Sequence, residues 1–134
     1  MQLNVTTDYA IRIVLYLADK GRLANSDELS AQMGIPRTVI ATISAPLQKA
    51  GILTAQRGAG GGFALGRRPE DISLYELINT MEETTRINRC LEKDSYCSRG
   101  GAALCPLHRF YIRIQSYLDE TFREMTVASL LEDA

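Results

Sequence analysis

The fold is decided by residues 26–49, which read SDELSAQMGIPRTVIATISAPLQK. Asn25 or Ser26 can cap a two-turn helix, which the Gly34-Ile-Pro36 turn then breaks. Pro36 suits the first position of a second helix, because its missing N–H would have no partner there. That helix ends at Gly51 and has an apolar stripe made of Ile40, Ile43 and Leu47. Two helices joined by a short turn predict a helix-turn-helix.

The outer face of the second helix has the character of a DNA-reading surface. Small side chains lie opposite the apolar stripe between two basic residues, in the order Arg37, Thr38, Ala41, Thr42, Ala45 and Lys49. Small residues allow a helix to enter a groove deeply, and threonines can bond bases or phosphates or contact the thymine methyl group. A merely solvated helix face would show the same pattern, so both interpretations stay open.

A glycine-rich hairpin follows the helix pair. Residues 52–57 and 63–65 predict two short strands, and the sequence GAGGG joins them at positions 58–62. Gly58, Gly60 and Gly61 can expose backbone N–H groups to phosphate, and Arg57 can enter a minor groove. A nucleotide-binding glycine loop is excluded, because no helix begins after the glycines and no Lys-Ser/Thr pair follows. The hairpin therefore predicts the wing of a winged helix-turn-helix.

Further along the chain, all three cysteines and the only histidine lie together, as Cys90, Cys97, Cys105 and His108. Such a group on a Gly/Ser/Asp-rich segment is typical of a soft-metal or iron-sulfur site. Zinc usually takes ligand pairs separated by two to four residues, so zinc is the second choice here. Cys105 would cap the helix that begins at Pro106, where the helix dipole favours an anionic cluster. We therefore expect a 2Fe-2S or 4Fe-4S cluster with a fourth ligand that is not cysteine.

The helix that begins at Pro106 is expected to be the longest in the chain. It carries two apolar stripes, and a small domain cannot easily bury both, so a partner helix from a second subunit is expected. A homodimer would match a palindromic operator. The predicted divisions are a DNA-binding domain at 1–82, a cluster loop at 83–105, and a dimerisation helix with its tail at 106–134.

Two further helices complete the expected fold. Thr7 is expected to cap a half-buried helix from Asp8 to Lys20, and Ser73 begins a fourth helix with a Ser73-x-x-Glu76 capping box. The predicted fold class is mainly α: a three-helix core with a two-stranded wing and a long C-terminal dimerisation helix.

The composition limits the function classes. The net charge of −1 leaves DNA binding to a local basic face. Without a targeting pattern or an apolar run near the ~18 residues of a membrane span, we expect a cytoplasmic protein with no membrane partner. Three cysteines in that compartment indicate metal or redox use rather than disulfides. An enzyme is disfavoured, because the chain lacks a Cys-x-x-Cys pair, a His-Glu base arrangement and a βαβ cofactor unit.

Four motifs carry a resemblance to a known family. They are Met1-x-Leu3 with Thr7-Asp8-Tyr9-Ala10, the segment Leu47-x-Lys49-x-Gly51-Ile52-Leu53, the wing Arg57-Gly-Ala-Gly-Gly-Gly62-Phe63, and the three cysteines with His108. With these motifs the chain resembles the Rrf-two family of winged helix-turn-helix regulators, which includes the cluster-binding IscR and NsrR types. The resemblance implies a dimeric transcription factor whose C-terminal helices cross.

The resemblance also assigns residues. Thr38, Thr42 and Arg57 match positions that contact DNA, whereas Ala41 departs from the longer polar residue of the best-known members. His108 matches the histidine ligand of the IscR type, and Asp8 matches the aspartate that the NsrR type supplies from the partner subunit. The alternatives are a hydrogen-bonded histidine at a helix start and a carboxylate that complements the helix dipole.

The function expected from sequence is a transcriptional repressor controlled by an iron-sulfur cluster that senses iron-sulfur status, nitric oxide or redox stress. Three alternatives remain: a zinc-binding regulator, a cluster-free regulator that senses a metabolite, and a small metal or redox enzyme.

Overall fold

The computed structural model describes residues 1–133 and is mainly helical, with one antiparallel two-stranded sheet. The elements are α1 Val5–Lys20, α2 Ser26–Met33, α3 Arg37–Lys49, β1 Leu53–Gln56, β2 Gly62–Leu65, α4 Leu74–Met81, α5 Pro106–Glu124 and α6 Val127–Glu132. This is the predicted fold class, a winged helix-turn-helix followed by a long helix. No helix within 1–133 is long and apolar enough to span a membrane.

The helix-turn-helix forms where its end signals predict. The Asn25 side chain accepts a hydrogen bond from the Glu28 N–H at 2.9 Å, and Gly34 ends α2 in the left-handed conformation with φ 66°. Pro36 immediately precedes α3, whose predicted apolar stripe is fully buried. A side-chain cluster joins the unit to α1, because Glu28 accepts hydrogen bonds from the Tyr16 hydroxyl and from Arg22.

The first helix begins earlier than predicted. Asn4, not Thr7, is the N-cap of α1, and its side chain accepts from the Thr6 N–H at 3.3 Å. Thr7 is fully buried, and its hydroxyl donates to the Glu82 carboxylate at 2.8 Å. Glu82 also accepts from the Asn4 N–H at 2.6 Å, so the residue that follows α4 is tied to the start of α1.

The wing is anchored to the body by a backbone bridge. Strands β1 and β2 pair from Leu53↔Leu65 to Gln56↔Gly62. Ala24 and Phe63 exchange two further backbone hydrogen bonds, at 2.9 and 2.8 Å. Gly62 has φ 155°, and a Cβ added there would lie 2.4 Å from the Ala24 carbonyl oxygen. Glycine is therefore required at the point where the wing meets the body.

The segment between α4 and α5 lacks regular helices, as its loss of periodicity predicts. It contains two 3-10 turns, Arg89–Leu91 and Ala102–Leu104, and ends at Cys105, the N-cap residue of α5. The chain then returns to the body, because Val127 of α6 is fully buried in the same core as α1. The three predicted divisions of the chain stay a prediction, although α6 packs with the first of them.

Replacing Gly62 by Ala should destabilise the protein. The left-handed backbone and the clash with the Ala24 carbonyl together should cost about 2–4 kcal/mol of unfolding free energy, measured by urea denaturation. Gly101→Ala is the matched control, because Gly101 has φ −133° and nothing within 4 Å of an added Cβ. The control should change stability by less than about 0.5 kcal/mol. Equal stability of the two variants would contradict this account of the wing anchor.

Candidate functional site

The structure brings the three cysteines and the histidine to one cavity. Cys90, Cys97, Cys105 and His108 all line a space of about 280 Å³ between the loop and the start of α5. Its wall is completed by apolar and aromatic side chains that include Tyr96, Leu107 and Tyr111. The three thiols are free and half-buried. The predicted ligand set of this chain therefore shares one location.

One atom in this cavity lacks the partner that burial requires. The Nδ1 atom of His108 is buried and has no hydrogen-bond partner within residues 1–133. A buried polar atom without a partner costs about 1–3 kcal/mol, so native structures rarely keep one without a purpose. The alternative interpretation was a histidine that forms hydrogen bonds at the start of a helix, and the Nδ1 atom of His108 forms none within residues 1–133. A metal ion bound at this nitrogen would supply the missing partner.

Hydrogen-bond donors surround two of the thiols. The backbone N–H groups of Gly101 and Arg99 hold the pKa of Cys97 below its ordinary value. The Asn88 side-chain amide donates to the Cys90 sulfur at 3.1 Å. The donors at Cys97 stabilise its thiolate, which is the form that binds metals.

An ion pair braces the loop between these two cysteines. Both nitrogens of the Arg89 fork reach the Asp94 carboxylate, at 2.5 and 2.6 Å, and the guanidinium lies over the Tyr96 ring, 5.3 Å from its centre. The hydrogen bonds from Arg89 lower the pKa of Asp94 to about 2. The two-point contact restricts the loop that carries Cys90 and Cys97.

The three thiols and the imidazole are of the chemical type that binds a soft metal or an iron-sulfur cluster, and they line one cavity. They are not yet close enough to one another to bind a single metal ion. Within residues 1–133, no three Cys, His, Asp or Glu side chains lie close enough together to bind one metal ion. The thiols would have to move within the cavity, which a loop without regular secondary structure permits.

Asp8 lies elsewhere. It is in the first turn of α1, where its half-exposed carboxylate pairs with Arg12 at 2.6 Å. It does not line the cysteine cavity of its own chain. A role for Asp8 as a ligand therefore requires a second subunit, as the resemblance implies, and stays a prediction.

The proposed DNA-facing surface of α3 is open to solvent. Thr38, Thr42 and Lys49 are exposed, as are Ala41 and Ala45 between them. Arg37 pairs with Asp27 at 2.8 Å, but both side chains are about 70% exposed. Such a surface pair contributes about 0–1 kcal/mol, so the Arg37 guanidinium can exchange its partner for a phosphate.

The wing glycines have a structural explanation of their own. Gly58 and Gly60 have φ 91° and 77°, and a Cβ on Gly61 would lie 2.3 Å from the Gln56 carbonyl oxygen. Their predicted contacts with phosphate stay a prediction, because the turn alone requires glycine at these positions. Arg57 is exposed and forms no ion pair within the described residues.

Sequence reasoning missed a polar network on α5. Gln115 and Asp119 are buried, and they hold the linker that leads into the cysteine loop through Thr85, Arg86 and Ile87. A signal was present in the sequence, since Gln115 interrupts the apolar series of Tyr111, Leu118 and Phe122. A polar residue within an apolar stripe indicates a specific hydrogen-bonding task.

A winged helix-turn-helix with an exposed second helix is the architecture of a DNA-binding transcriptional regulator. The model of the Rrf2 family, described as an iron-dependent transcriptional regulator, matches residues 3–133, and the chain belongs to this family. Because the family consists of transcriptional regulators, this chain is a regulator and not an enzyme.

Individual relatives agree with this assignment. A protein of Aquifex aeolicus (strain VF5) named as an HTH-type transcriptional regulator is 27% identical over 127 residues, covering 94% of this chain and 88% of its own length. The fold is shared with CymR, the global cysteine regulator of B. subtilis, with a TM-score of 0.82, 22% identity and coverage of 100% and 98%. It is shared too with IscR of T. potens, with a TM-score of 0.78, 19% identity and coverage of 99% and 88%.

The backbone donors around Cys97 make a testable prediction. In a Cys90→Ser, Cys105→Ser variant, alkylation of Cys97 should reach half its maximal rate at a lower pH in the folded protein than in urea. The thiolate is the reactive form, and the N–H groups of Gly101 and Arg99 favour it only when the loop is folded. A midpoint in the folded protein at or above that of the unfolded chain, ordinarily near pH ~8.5, would contradict the loop geometry.

Proposed function

We propose that this protein is a homodimeric repressor whose affinity for a palindromic operator depends on an iron-sulfur cluster held by Cys90, Cys97 and Cys105. The observation that carries the proposal is the single cavity lined by all three thiols and by His108 with its unpartnered Nδ1. The description of the family as iron-dependent supports the same reading.

His108 is the proposed fourth ligand within the chain, and Asp8 of the partner subunit is the alternative. The support for His108 is its unpartnered Nδ1 in the cavity, whereas Asp8 does not line the cavity of its own chain. The cluster, of either the 2Fe-2S or the 4Fe-4S type, would supply an iron that responds to oxygen, nitric oxide or iron supply. The residues of the chain would hold the cluster and exclude water from one side of it.

The position of the loop offers a route from the cluster to DNA. The loop follows Glu82, whose carboxylate holds the N-terminus of α1 through Asn4 and Thr7. Helix α1 contacts the helix-turn-helix through the cluster of Tyr16, Arg22 and Glu28. Movement of the loop would therefore act on α1 first and on the reading helix next.

The surface of α5 supports the dimer. Four large apolar side chains of this helix are 45–69% exposed, namely Leu107, Phe110, Ile112 and Tyr117. Leu107, Phe110 and Tyr117 share one face of the helix, and an exposed apolar face of this kind is typical of a protein interface. A two-fold dimer would place two reading helices on one side of the molecule for a palindrome.

Removing each candidate fourth ligand in turn should show which of them holds the cluster. Anaerobically purified protein given iron and sulfide should show visible absorption, and His108→Ala should lose iron at least about tenfold faster than the parent protein. Asp8→Ala should match Asp19→Ala, a control at another exposed carboxylate of the same helix. Faster loss in Asp8→Ala alone would assign the fourth ligand to the partner subunit.

Two other outcomes would replace the proposal. Colourless protein that carries one zinc per chain would make the protein a zinc-binding regulator. Protein that takes up neither metal nor sulfide would favour a cluster-free regulator that senses a metabolite, a possibility supported by the structural likeness to CymR, itself named a cysteine regulator.

The wing makes a separate prediction about DNA. On an operator selected from random duplexes, Arg57→Ala should weaken binding by about 1–3 kcal/mol at fixed salt and reduce the salt slope by about 1. Arg68→Ala is the matched control, because it removes the same charge from a residue outside the wing, whose second strand ends at Leu65. Equal losses in both variants would indicate a general charge effect and move the reading surface away from Arg57.

A further inference from the structure

A buried glutamine lies in the middle of the long helix. Gln115 is 5% exposed, and its side-chain amide forms three hydrogen bonds. Its Oε1 accepts from the Ile87 N–H at 2.8 Å, and its Nε2 donates to the Thr85 carbonyl at 3.0 Å and to the Asp119 carboxylate at 2.9 Å.

Two of these hydrogen bonds go to the backbone of residues 85–87, the linker between α4 and the cysteine loop, as the bonds from a neighbouring β-strand would. An N–H and a carbonyl two residues apart, at Ile87 and Thr85, pair with the two ends of one amide group. Asp119 completes the contact, since its second oxygen accepts from the Arg86 guanidinium at 3.3 Å. Part-buried backbone groups of an irregular segment need such partners, and here one side chain of α5 supplies both.

The anchored segment leads directly to the first cysteine. Asn88, the residue after Ile87, donates to the Cys90 sulfur, and Arg89 braces the loop that follows. The far end of the loop is held by the same helix, because Cys105 is the N-cap residue of α5. Cys105 and Gln115 are ten positions apart, so α5 separates the two attachment points by about 15 Å.

We propose that Gln115 is a positioning residue for the cysteine cavity: by holding Thr85 and Ile87 on α5, it sets where Cys90 enters the cavity relative to Cys105 and His108. The consequence for cluster binding rests on the function proposed above, whereas the anchoring of the loop does not. An apolar residue of the same length would suit the surrounding apolar stripe, so the polar amide serves the linker backbone rather than the packing of α5.

The test compares Gln115→Met with Gln115→Glu. Methionine keeps the length and the helix preference of glutamine but removes all three hydrogen bonds. Glutamate keeps an acceptor for the Ile87 N–H but loses the donors to Thr85 and Asp119, and it places a second carboxylate beside that of Asp119, so it is a second disruptive variant. Gln48→Met, at an exposed glutamine of α3, is the matched control for the same substitution. Thermal unfolding followed by circular dichroism checks that each variant is folded.

The first readout uses the protein without any metal. In Gln115→Met, the Ile87 amide should exchange its hydrogen about tenfold faster than in the parent protein, and Cys90 should be alkylated faster relative to Cys105. Gln115→Glu should exchange at least as fast as Gln115→Met, because its carboxylate would lie beside that of Asp119, and Gln48→Met should match the parent. Unchanged Ile87 exchange and unchanged Cys90 alkylation in folded Gln115→Met would overturn the inference.

The second readout uses protein loaded anaerobically with iron and sulfide. Transfer of iron to a chelator should be about tenfold faster from Gln115→Met than from the parent or from Gln48→Met. Equal rates would overturn the role of Gln115 in holding the site. If the parent protein takes up no iron, the proposed function fails, and the exchange and alkylation data alone decide whether Gln115 positions Cys90.

Discussion

The cysteine cavity depends on one physical constraint: helix α5 holds both ends of the irregular loop between α4 and α5. Twenty-odd residues without helix or strand cannot keep three thiols around a cavity unless their ends are fixed, because each free residue gains about 1–2 kcal/mol of conformational entropy. Helix α5 fixes the entry through Gln115 and the exit through Cys105. The ion pair of Arg89 and Asp94 then restricts the part between the first two cysteines. The loop is thus constrained at its ends and still free to bring the sulfurs together.

The same architecture links the loop to the DNA-binding unit. Glu82 lies where α4 ends and the loop begins, and its carboxylate bonds both Asn4 and Thr7 of the N-terminal segment. The reading helix and the wing are fixed to that unit separately, through the Glu28 cluster and through the bridge between Ala24 and Phe63. A change in the loop can therefore act on α1 without unfolding α3 or the wing.

Local signals in the sequence predicted most of the fold and only part of the site. Asn25, Gly34, Ser73 and Pro106 mark helix ends because caps and breakers act over a few neighbouring residues. The prediction of Thr7 as a cap is wrong, because the hydroxyl of Thr7 bonds Glu82, which is 75 positions away in the sequence. The predicted phosphate contacts of Gly58, Gly60 and Gly61 stay a prediction. The sequence could not show that Gly61 and Gly62 are required by the carbonyls of Gln56 and Ala24, which crowd them in space.

The sequence by itself determined the helix-turn-helix and the clustering of Cys90, Cys97, Cys105 and His108, because these depend on periodicity, end signals or proximity along the chain. Its four motifs also carried the resemblance to the family. Only the tertiary structure decided that these four side chains share one cavity, that the Nδ1 of His108 is left without a partner, and that Gln115 anchors the loop. The reason is physical: whether a buried polar atom is satisfied depends on groups far apart in sequence, which meet only when the core packs.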